Sequence, residues 1–312
     1  MCSFEHQPVL LTETIEGLIT TENGVYVDCT LGGAGHSETI LREYPEARII
    51  GIDRDSEAIA ASKQRLAPYG ERAVFVWDNF ANINNILAGL GIDKVDGFLF
   101  DLGVSSPQLD HGERGFSYMQ DAPLDMRMDR ERGSVTAADI VNTYSLEELT
   151  DIIYKYGEER WSKRIAEFIT AARAKEPLTT TGQLVSVIKA AVPKGARTEG
   201  HHPAKKTFQA LRIAVNDELN IISGALTAAS EHLKTGGRIA VISFHSLEDR
   251  IVKDTFKYLN RDCICPPEQI VCTCGKKRTV KIITRKPVTG REEELKANPR
   301  ARSAKLRIAE RI

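Results

Sequence analysis

Three apolar segments of the sequence each end in an aspartate. Asp28 closes the segment 25–28 and precedes a glycine-rich turn at 32–35, while Asp53 and Asp101 close two later segments. Glycines let a turn come close to a ligand, and the N–H groups of a following helix face that ligand. Because ligands of open α/β sheets bind at the carboxyl ends of the strands, these residues predict a site for a nucleotide-like cofactor.

The details of this pattern favour S-adenosylmethionine over a nicotinamide dinucleotide. A dinucleotide fingerprint needs a third glycine, but Gly35 is followed by His36, Ser37 and Glu38. Asp53 is placed to accept hydrogen bonds from both ribose hydroxyls, and Phe80, after a third strand, offers a ring to adenine. Taken singly, Asp53 could equally cap the following helix, and Phe80 could belong to the core. Their joint placement at successive strand ends carries the prediction.

The elements that position these residues alternate along the chain. Strands are predicted at 25–28, 47–52, 73–76, 95–100 and 238–243, with two further candidates at 280–284 and 304–308. Helices are predicted between them; one runs from 216 to Leu233 and is ended by 235–237, and another follows the fifth strand and continues to about Leu259. Such alternation predicts a mostly parallel sheet with right-handed crossovers.

The alternation is interrupted between about residues 108 and 215. No strand is predicted there, and capping-box spacing at Ser145 and Thr180 opens two helices. A third helix is predicted over 161–175. A helical insertion of this size fits better than a very long loop.

Length and charge limit the class of protein. The chain has 312 residues and a net charge of −1, which argues against a globally basic nucleic-acid coat but not against local basic patches. No apolar run approaches the roughly 20 residues that a membrane span requires. The N-terminus lacks a signal-peptide pattern, so we expect a cytoplasmic protein without membrane contact.

Longer motifs carry a resemblance to a known family. They lie at 8–11, 28–37, 101–110, 114–117, 123–129, 156–160, 207–212, 243–250 and 298–303. On these motifs the chain resembles the bacterial ribosomal RNA small-subunit methyltransferase H family, also called MraW, from about residue 4 to 312.

The resemblance implies a cytoplasmic enzyme that transfers a methyl group from S-adenosylmethionine to N4 of a cytosine in the decoding region of 16S rRNA. It implies an α/β fold: a class I, Rossmann-like methyltransferase sheet over 1–109 and 214–312, with an α-helical domain inserted over 110–213. The expected partner is 16S rRNA within the small ribosomal subunit, and a homodimer is left open. The alternatives are a non-catalytic RNA-binding assembly factor and a methyltransferase with a different substrate.

The same resemblance assigns site residues. The expected cofactor contacts are Ala34, Gly35, His36, Asp53, Phe80, Asp101 and Gln108. Asp101, Ser106 and His245 are the candidates for catalysis, since the N4 amine must lose a proton as it is methylated. For Asp101 we favour a role mainly in cofactor binding over a double role, and His245 is as well explained by capping the following helix.

The turn at 105–108 is loosely similar to the motif (Asp/Asn/Ser)-Pro-Pro-(Tyr/Phe) of amino-methyltransferases. It lacks the second proline and the aromatic residue, so a ring that stacks on the target base would come from Phe116 or Tyr118. Cations at 201–206 and 276–311 suit contacts to RNA phosphates, although solvated basic surface explains them too.

Four of the six cysteines form two C-x-C pairs, Cys263 with Cys265 and Cys272 with Cys274. In a reducing compartment such a cluster suggests metal more than disulfides, but the spacing is not the usual C-x-x-C and no histidine lies close by. The sequence therefore favours a surface loop with reduced thiols and no metal, with zinc as the alternative.

Overall fold

The computed structural model describes residues 8–105, 108, 112–133, 135–196, 202–269 and 271–312. Two compact units form: the described residues up to Gly103 together with Leu219–Ile312 make the first, and Val104–Glu218 makes the second. The helical insertion predicted over 110–213 lies inside the second unit. Among the described residues, no helix is long and apolar enough to cross a membrane.

The first unit contains the predicted sheet. Its described strands are β1 (Val25–Asp28), β2 (Arg48–Asp53), β3 (Ala73–Trp77), β4 (Val95–Asp101), β5 (Leu233–Ser243), β6 (Val280–Ile282) and β7 (Lys305–Arg311). They are ordered β3-β2-β1-β4-β5-β7-β6. Strands β1 to β5 pair in parallel, while β7 is antiparallel to both β5 and β6. The prediction of a Rossmann-like α/β sheet is confirmed.

The described helices, in chain order, are α1 (Leu11–Leu18), α2 (Gly35–Glu43), α3 (Ser56–Arg65), α4 (Ile83–Gly89), α5 (Ala137–Thr143), α6 (Leu146–Gly157), α7 (Ser162–Arg173), α8 (Thr181–Ala191), α9 (Lys205–Asn216), α10 (Asn220–Glu231), α11 (Ser246–Leu259) and α12 (Glu292–Ala297). Helices α5 to α9 belong to the second unit. Within the part of that unit which the structure describes, the single β contact is an isolated bridge between Pro123 and Thr180.

One predicted boundary is wrong. The helix expected to reach Leu233 ends at Glu231, and the segment 235–237 lies inside β5 rather than ending the helix. Leu233 already pairs with Val95, and the register then shifts before Arg238 pairs with Gly97. Two consecutive glycines predict a helix stop, but here they lie in an irregular part of the strand, where the register shifts.

Each unit has its own apolar core. In the second unit, Leu149, Ile153, Ile165 and Leu184 are fully buried among the helices. Capping boxes at Ser145 and Thr180 fix the starts of α6 and α8, as their spacing predicts. In the first unit, β1, β2 and β4 are buried along most of their length, which matches their continuous apolar sequences, whereas the edge strand β3 is only partly buried.

Candidate functional site

The turn after β1 is held in one conformation by the neighbouring strands. Leu31 donates its N–H to the carbonyl of Ile52 at 3.0 Å, and Ala34 donates to the carbonyl of Leu31 at 2.6 Å. Gly32 and Ala34 both have left-handed backbones, with φ of 49° and 58°. Ala34 is the N-cap of α2, so the turn places the first N–H groups of that helix at the carboxyl ends of the strands. We call this side of the sheet the carboxyl edge.

Asp28 is a buried anchor of this turn. Its carboxylate accepts hydrogen bonds from the Ser37 hydroxyl at 2.7 Å and from the Thr30 N–H at 3.2 Å. Burial raises the pKa of Asp28 to about 6, although these hydrogen bonds act in the opposite direction. Asp28 therefore joins the turn to α2, and its exposed fraction of 3% leaves little surface for a ligand.

Asp53 holds the same turn from β2 and keeps a partly exposed carboxylate. It accepts from Gly32 N–H at 2.7 Å and from Asp55 N–H at 2.9 Å. Burial raises its pKa to about 6. Each carboxylate oxygen can accept more than one hydrogen bond, so Asp53 retains capacity for ligand hydroxyls. The helix cap is made by a different residue, since Asp55 accepts from the N–H of Glu57 at the start of α3.

The glycines of the turn differ in the space around them. A Cβ added at Gly33 would meet no atom of the described chain within 4 Å. A Cβ added at Gly35 would lie 2.4 Å from Cγ of Pro8. Gly33 therefore faces open space that a ligand can fill, whereas Gly35 is required by internal packing.

Asp101 ends β4 beside these groups. Its backbone N–H donates to the Thr30 hydroxyl at 2.6 Å, which fixes the strand end against the turn. Its side chain is 27% exposed, and its Oδ1 atom has no hydrogen-bond partner among the described residues. Burial, together with the negative charges of Asp28 and Glu248, raises the pKa of Asp101 to about 8.

His36 lies behind Asp101 rather than at an open surface. Its side chain is buried, its Nε2 atom lies 3.1 Å from the Val9 carbonyl, and its Nδ1 atom lies 3.8 Å from Oδ2 of Asp101. A neutral imidazole that donates from Nε2 presents the Nδ1 lone pair to the carboxyl group. The predicted cofactor contact of His36 would thus pass through its backbone or through Asp101.

Phe80 follows β3 and makes an edge-to-face contact with Phe100 of β4. The two ring centroids are 5.6 Å apart at an interplanar angle of 87°. The Asn79 side chain accepts from the N–H of Ala81 and fixes the short turn of helix that carries Phe80. Phe80 is only half-buried, so part of its ring remains available to a planar ligand.

His245 follows β5 and caps α11. Its Nδ1 atom accepts from the N–H of Glu248 at 3.4 Å, and Glu248 accepts in return from the N–H groups of Phe244 and His245, at 2.8 and 3.2 Å. Nε2 of His245 is 3.2 Å from Oε1 of Glu248. The geometry accounts for His245 as a helix cap, and a role as base stays a prediction.

The remaining predicted residues belong to the second unit. Gln108 is buried and accepts from the N–H of Ser105 at 3.0 Å. Ser106 lies outside the described residues. Phe116 is buried in the helical core, while Tyr118 stacks on His202 with centroids 4.7 Å apart. Of the two candidate stacking rings, Tyr118 is the more accessible.

Three residues that hold the site residues in place were not predicted from the sequence: Thr30, Ser37 and Glu248. Each bonds a group already in the site, but none ends a strand, which was the signal used. Only Glu248 had a signal of its own, because it stands three residues after the cap His245, at capping-box spacing. The negative charge of Glu248 contributes to the raised pKa of Asp101.

Comparison with known proteins places this geometry in a family. Residues 3–312 match the MraW methylase family. The chain is 57% identical to the ribosomal RNA small subunit methyltransferase H of Clostridioides difficile (strain 630), with 99% of each chain covered. It is 56% identical to the protein of the same name from Halothermothrix orenii, again over 99% of both chains. The protein of that name from Symbiobacterium thermophilum is 54% identical, with coverage of 99% and 98%.

Proposed function

This chain belongs to the MraW methylase family, and from that premise we propose that it methylates N4 of a cytosine in the decoding region of 16S rRNA. The proposed substrate is the small ribosomal subunit in the cytoplasm, in agreement with the names of its relatives as small-subunit ribosomal RNA methyltransferases. S-adenosylmethionine supplies a methyl group on a positively charged sulfur.

The observation that supports the proposal best is the set of uncompensated acidic residues at the carboxyl edge. Asp28, Asp53 and Asp101 lie at three adjacent strand ends, and none forms an ion pair with lysine or arginine among the described residues. Oδ1 of Asp101 also lacks a hydrogen-bond partner in the described chain. A cationic, hydroxyl-bearing ligand would offset both features, so the residues fit the cofactor.

Each residue of the edge would then have a separate task. Asp53 would accept hydrogen bonds from the ribose hydroxyls while it holds the turn through Gly32. Phe80 would pack its free ring face on the adenine, and the turn at Gly33 would let the backbone approach the ligand. These contacts orient the methyl donor and exclude water, which is most of what such a transfer requires.

Asp101 is the group best placed to act on the nucleophile. The N4 lone pair of cytosine is delocalised into the ring, so an acceptor for an N4 proton favours the developing charge. With its pKa raised to about 8, ionised Asp101 would be a stronger base than an ordinary carboxylate. We retain cofactor binding as its main role, since its position at the end of β4 serves both tasks.

RNA would be held by local cations, despite the balanced net charge. Lys205, at the start of α9, is exposed. Lys277, in the C-terminal region, is exposed as well. Several other cations of that region are already paired inside the protein, including Arg307 and Lys305 with Asp249. The unpaired ones would contact phosphates, and binding would therefore weaken as salt rises.

The test is methyl transfer to purified small ribosomal subunits and, separately, to free 16S rRNA. After nuclease digestion, mass spectrometry should find the new methyl group on N4 of one cytosine of the decoding region. The Asp101→Ala variant is the control for background. Methylation at C5 of cytosine, in another region or on protein would contradict the proposed substrate. Absence of transfer despite binding of the donor would favour an assembly factor.

A further inference from the structure

The segment 260–279, here called the cysteine loop, joins α11 to β6. Its base is closed by a hydrogen bond from the Thr279 N–H to the Leu259 carbonyl at 3.0 Å. None of its described residues between 261 and 278 is buried. The described residues of the loop form no strand or helix and no apolar core, so a loop of this length needs another source of order.

The four cysteines of this loop converge on one point. Cys263 and Cys272 have their sulfurs 3.5 Å apart, and Cys272 and Cys274 have theirs 3.6 Å apart. The sulfurs of Cys274 and Cys263 are 3.8 Å apart, and those of Cys265 and Cys272 are 3.9 Å apart. All four lie within 4.8 Å of one another. No pair is at the bonding distance of a disulfide, which is about 2.05 Å.

Four of the six sulfur–sulfur separations match those of a tetrahedral metal site. Four sulfurs at about 2.3 Å from a zinc ion lie about 3.8 Å from one another. Four observed separations, from 3.5 to 3.9 Å, fall close to that value. Four uncharged thiols on an exposed surface gain little from such contact, whereas one metal ion explains all four positions together.

The backbone around the sulfurs supports the same reading. The Ile264 N–H donates to Sγ of Cys274 at 3.4 Å, and the Cys265 N–H donates to Sγ of Cys263 at 3.3 Å. Such bonds orient thiolate ligands and offset their charge. Gly275 follows the last cysteine with a φ of 63°, which turns the chain sharply just after the site.

The local charge also suits a metal thiolate. Four thiolates and one divalent zinc ion carry a net charge of −2, and Lys276, Lys277 and Arg278 follow directly after Cys274. Lys276 is held over the ring of Tyr258, 4.9 Å from its centroid, so one of these cations has a fixed place beside the loop.

We propose that Cys263, Cys265, Cys272 and Cys274 bind one structural zinc ion that orders the cysteine loop. The ion replaces the four thiol protons, which are released to solvent. With four protein ligands the site is closed, so it has no open position for substrate. The sequence favoured reduced thiols without metal because C-x-C spacing is unusual; the folded loop reverses that preference.

The experiment is metal analysis of the purified full-length protein, prepared without chelators or metal-affinity resin. Zinc should be present at one ion per chain, as measured by mass spectrometry of the elements. Metal-free, reduced protein should bind Co²⁺ and develop the visible absorption of tetrahedral cobalt thiolate. In the double variant Cys263→Ser with Cys272→Ser, zinc content and the cobalt spectrum should both be lost. The matched variant Cys2→Ser, which removes a thiol outside the loop, should keep both.

Three results would overturn the proposal. The first is wild-type protein that contains no zinc and takes up no cobalt after reduction. The second is zinc that persists in the double variant, which would place the metal elsewhere. The third is iron in place of zinc, or two disulfides in protein prepared under reducing conditions. The wild-type measurements decide the question even if the double variant does not fold.

Discussion

Acidic residues at the two edges of the central sheet differ in whether a basic side chain compensates their charge. At the amino edge, where the parallel strands begin, Asp96 binds the Lys234 ammonium group at 2.8 Å and the Val25 N–H at 2.8 Å. At the carboxyl edge, the carboxyl groups of Asp28 and Asp53 accept hydrogen bonds from N–H and hydroxyl groups, and Oδ1 of Asp101 has no hydrogen-bond partner in the described part of the chain. None of the three forms an ion pair with a lysine or arginine among the described residues. The fold neutralises an acid where it serves structure alone. It leaves acids uncompensated where a cationic ligand is expected.

The largest effect should come from Asp101. Asp101→Ala should lower single-turnover methyl transfer by roughly 100-fold or more, because it removes the unpartnered carboxyl group at the end of β4. The isosteric Asp101→Asn then divides the two roles. If Asp101 mainly binds cofactor, transfer and affinity for S-adenosylhomocysteine should fall together. Lost transfer with unchanged affinity would show a catalytic role and contradict our preference.

Gly33 and Gly35, in the turn after β1, separate an effect on ligand binding from an effect on stability. Gly35→Ala should lower the free energy of unfolding by about 1–3 kcal/mol, because its Cβ would lie 2.4 Å from Pro8. Gly33→Ala should change stability by less than about 0.5 kcal/mol. It should nevertheless weaken binding of S-adenosylhomocysteine, since the new methyl group enters the ligand's space. Chemical denaturation and calorimetry measure the two effects. Unchanged affinity of the Gly33→Ala variant would mean that the ligand does not contact this turn.

The carboxyl edge should also set a pH dependence of stability. The pKa of Asp101 rises from 3.8 in the unfolded chain to about 8 in the fold, and those of Asp28 and Asp53 rise to about 6. Between these values the native state binds more protons than the unfolded state. Asp28 and Asp53 therefore make stability decrease as pH rises from about 4 to 6, and Asp101 does so from about 4 to 8, by at most about 1.4 kcal/mol per pH unit for each group.

Asp101→Asn provides the control for that slope, because the amide does not ionise. Its free energy of unfolding, measured by denaturant titration at several pH values, should fall less steeply than that of the wild type between pH 6 and 8. Parallel curves for the two proteins would mean that Asp101 is ionised throughout.

The smallest effect belongs to His245. His245→Ala should cost about 1 kcal/mol of stability by removing the cap of α11, and His245→Asn should cost less because asparagine caps well. If capping is its only role, both variants should transfer methyl groups at the normal single-turnover rate. A stable His245→Asn protein with strongly reduced transfer would instead identify His245 as a base.

The family match confirms the resemblance that the long motifs indicate. It also confirms that the protein is a methyltransferase that uses S-adenosylmethionine. Strand positions were predictable because buried parallel strands are continuous apolar runs. The bulge at 235–237 was not, since glycine has the same signature in a helix stop and in a strand irregularity.

The acidic residues of the site could be predicted from the sequence, but the residues that form hydrogen bonds with them could not. Asp53 and Asp101 could be found because strand ends recur at one edge of a sheet. The hydroxyl contacts of Thr30 and Ser37 depend on the fold of the turn, which no spacing rule gives. The convergence of the four cysteines likewise needed the folded loop, because sequence spacing does not fix sulfur positions.

The measurement that tests this account most directly is calorimetric binding of S-adenosylhomocysteine to Asp53→Ala and Asp96→Ala, compared with wild type. Both variants remove a carboxylate that accepts from the backbone, but at opposite edges of the sheet. The carboxyl-edge variant should bind roughly 10- to 150-fold more weakly, the loss expected for hydrogen bonds to a charged group. The amino-edge variant, assayed where it remains folded, should bind as the wild type does. Equal affinities for Asp53→Ala and wild type would contradict the assignment of the carboxyl edge as the cofactor site.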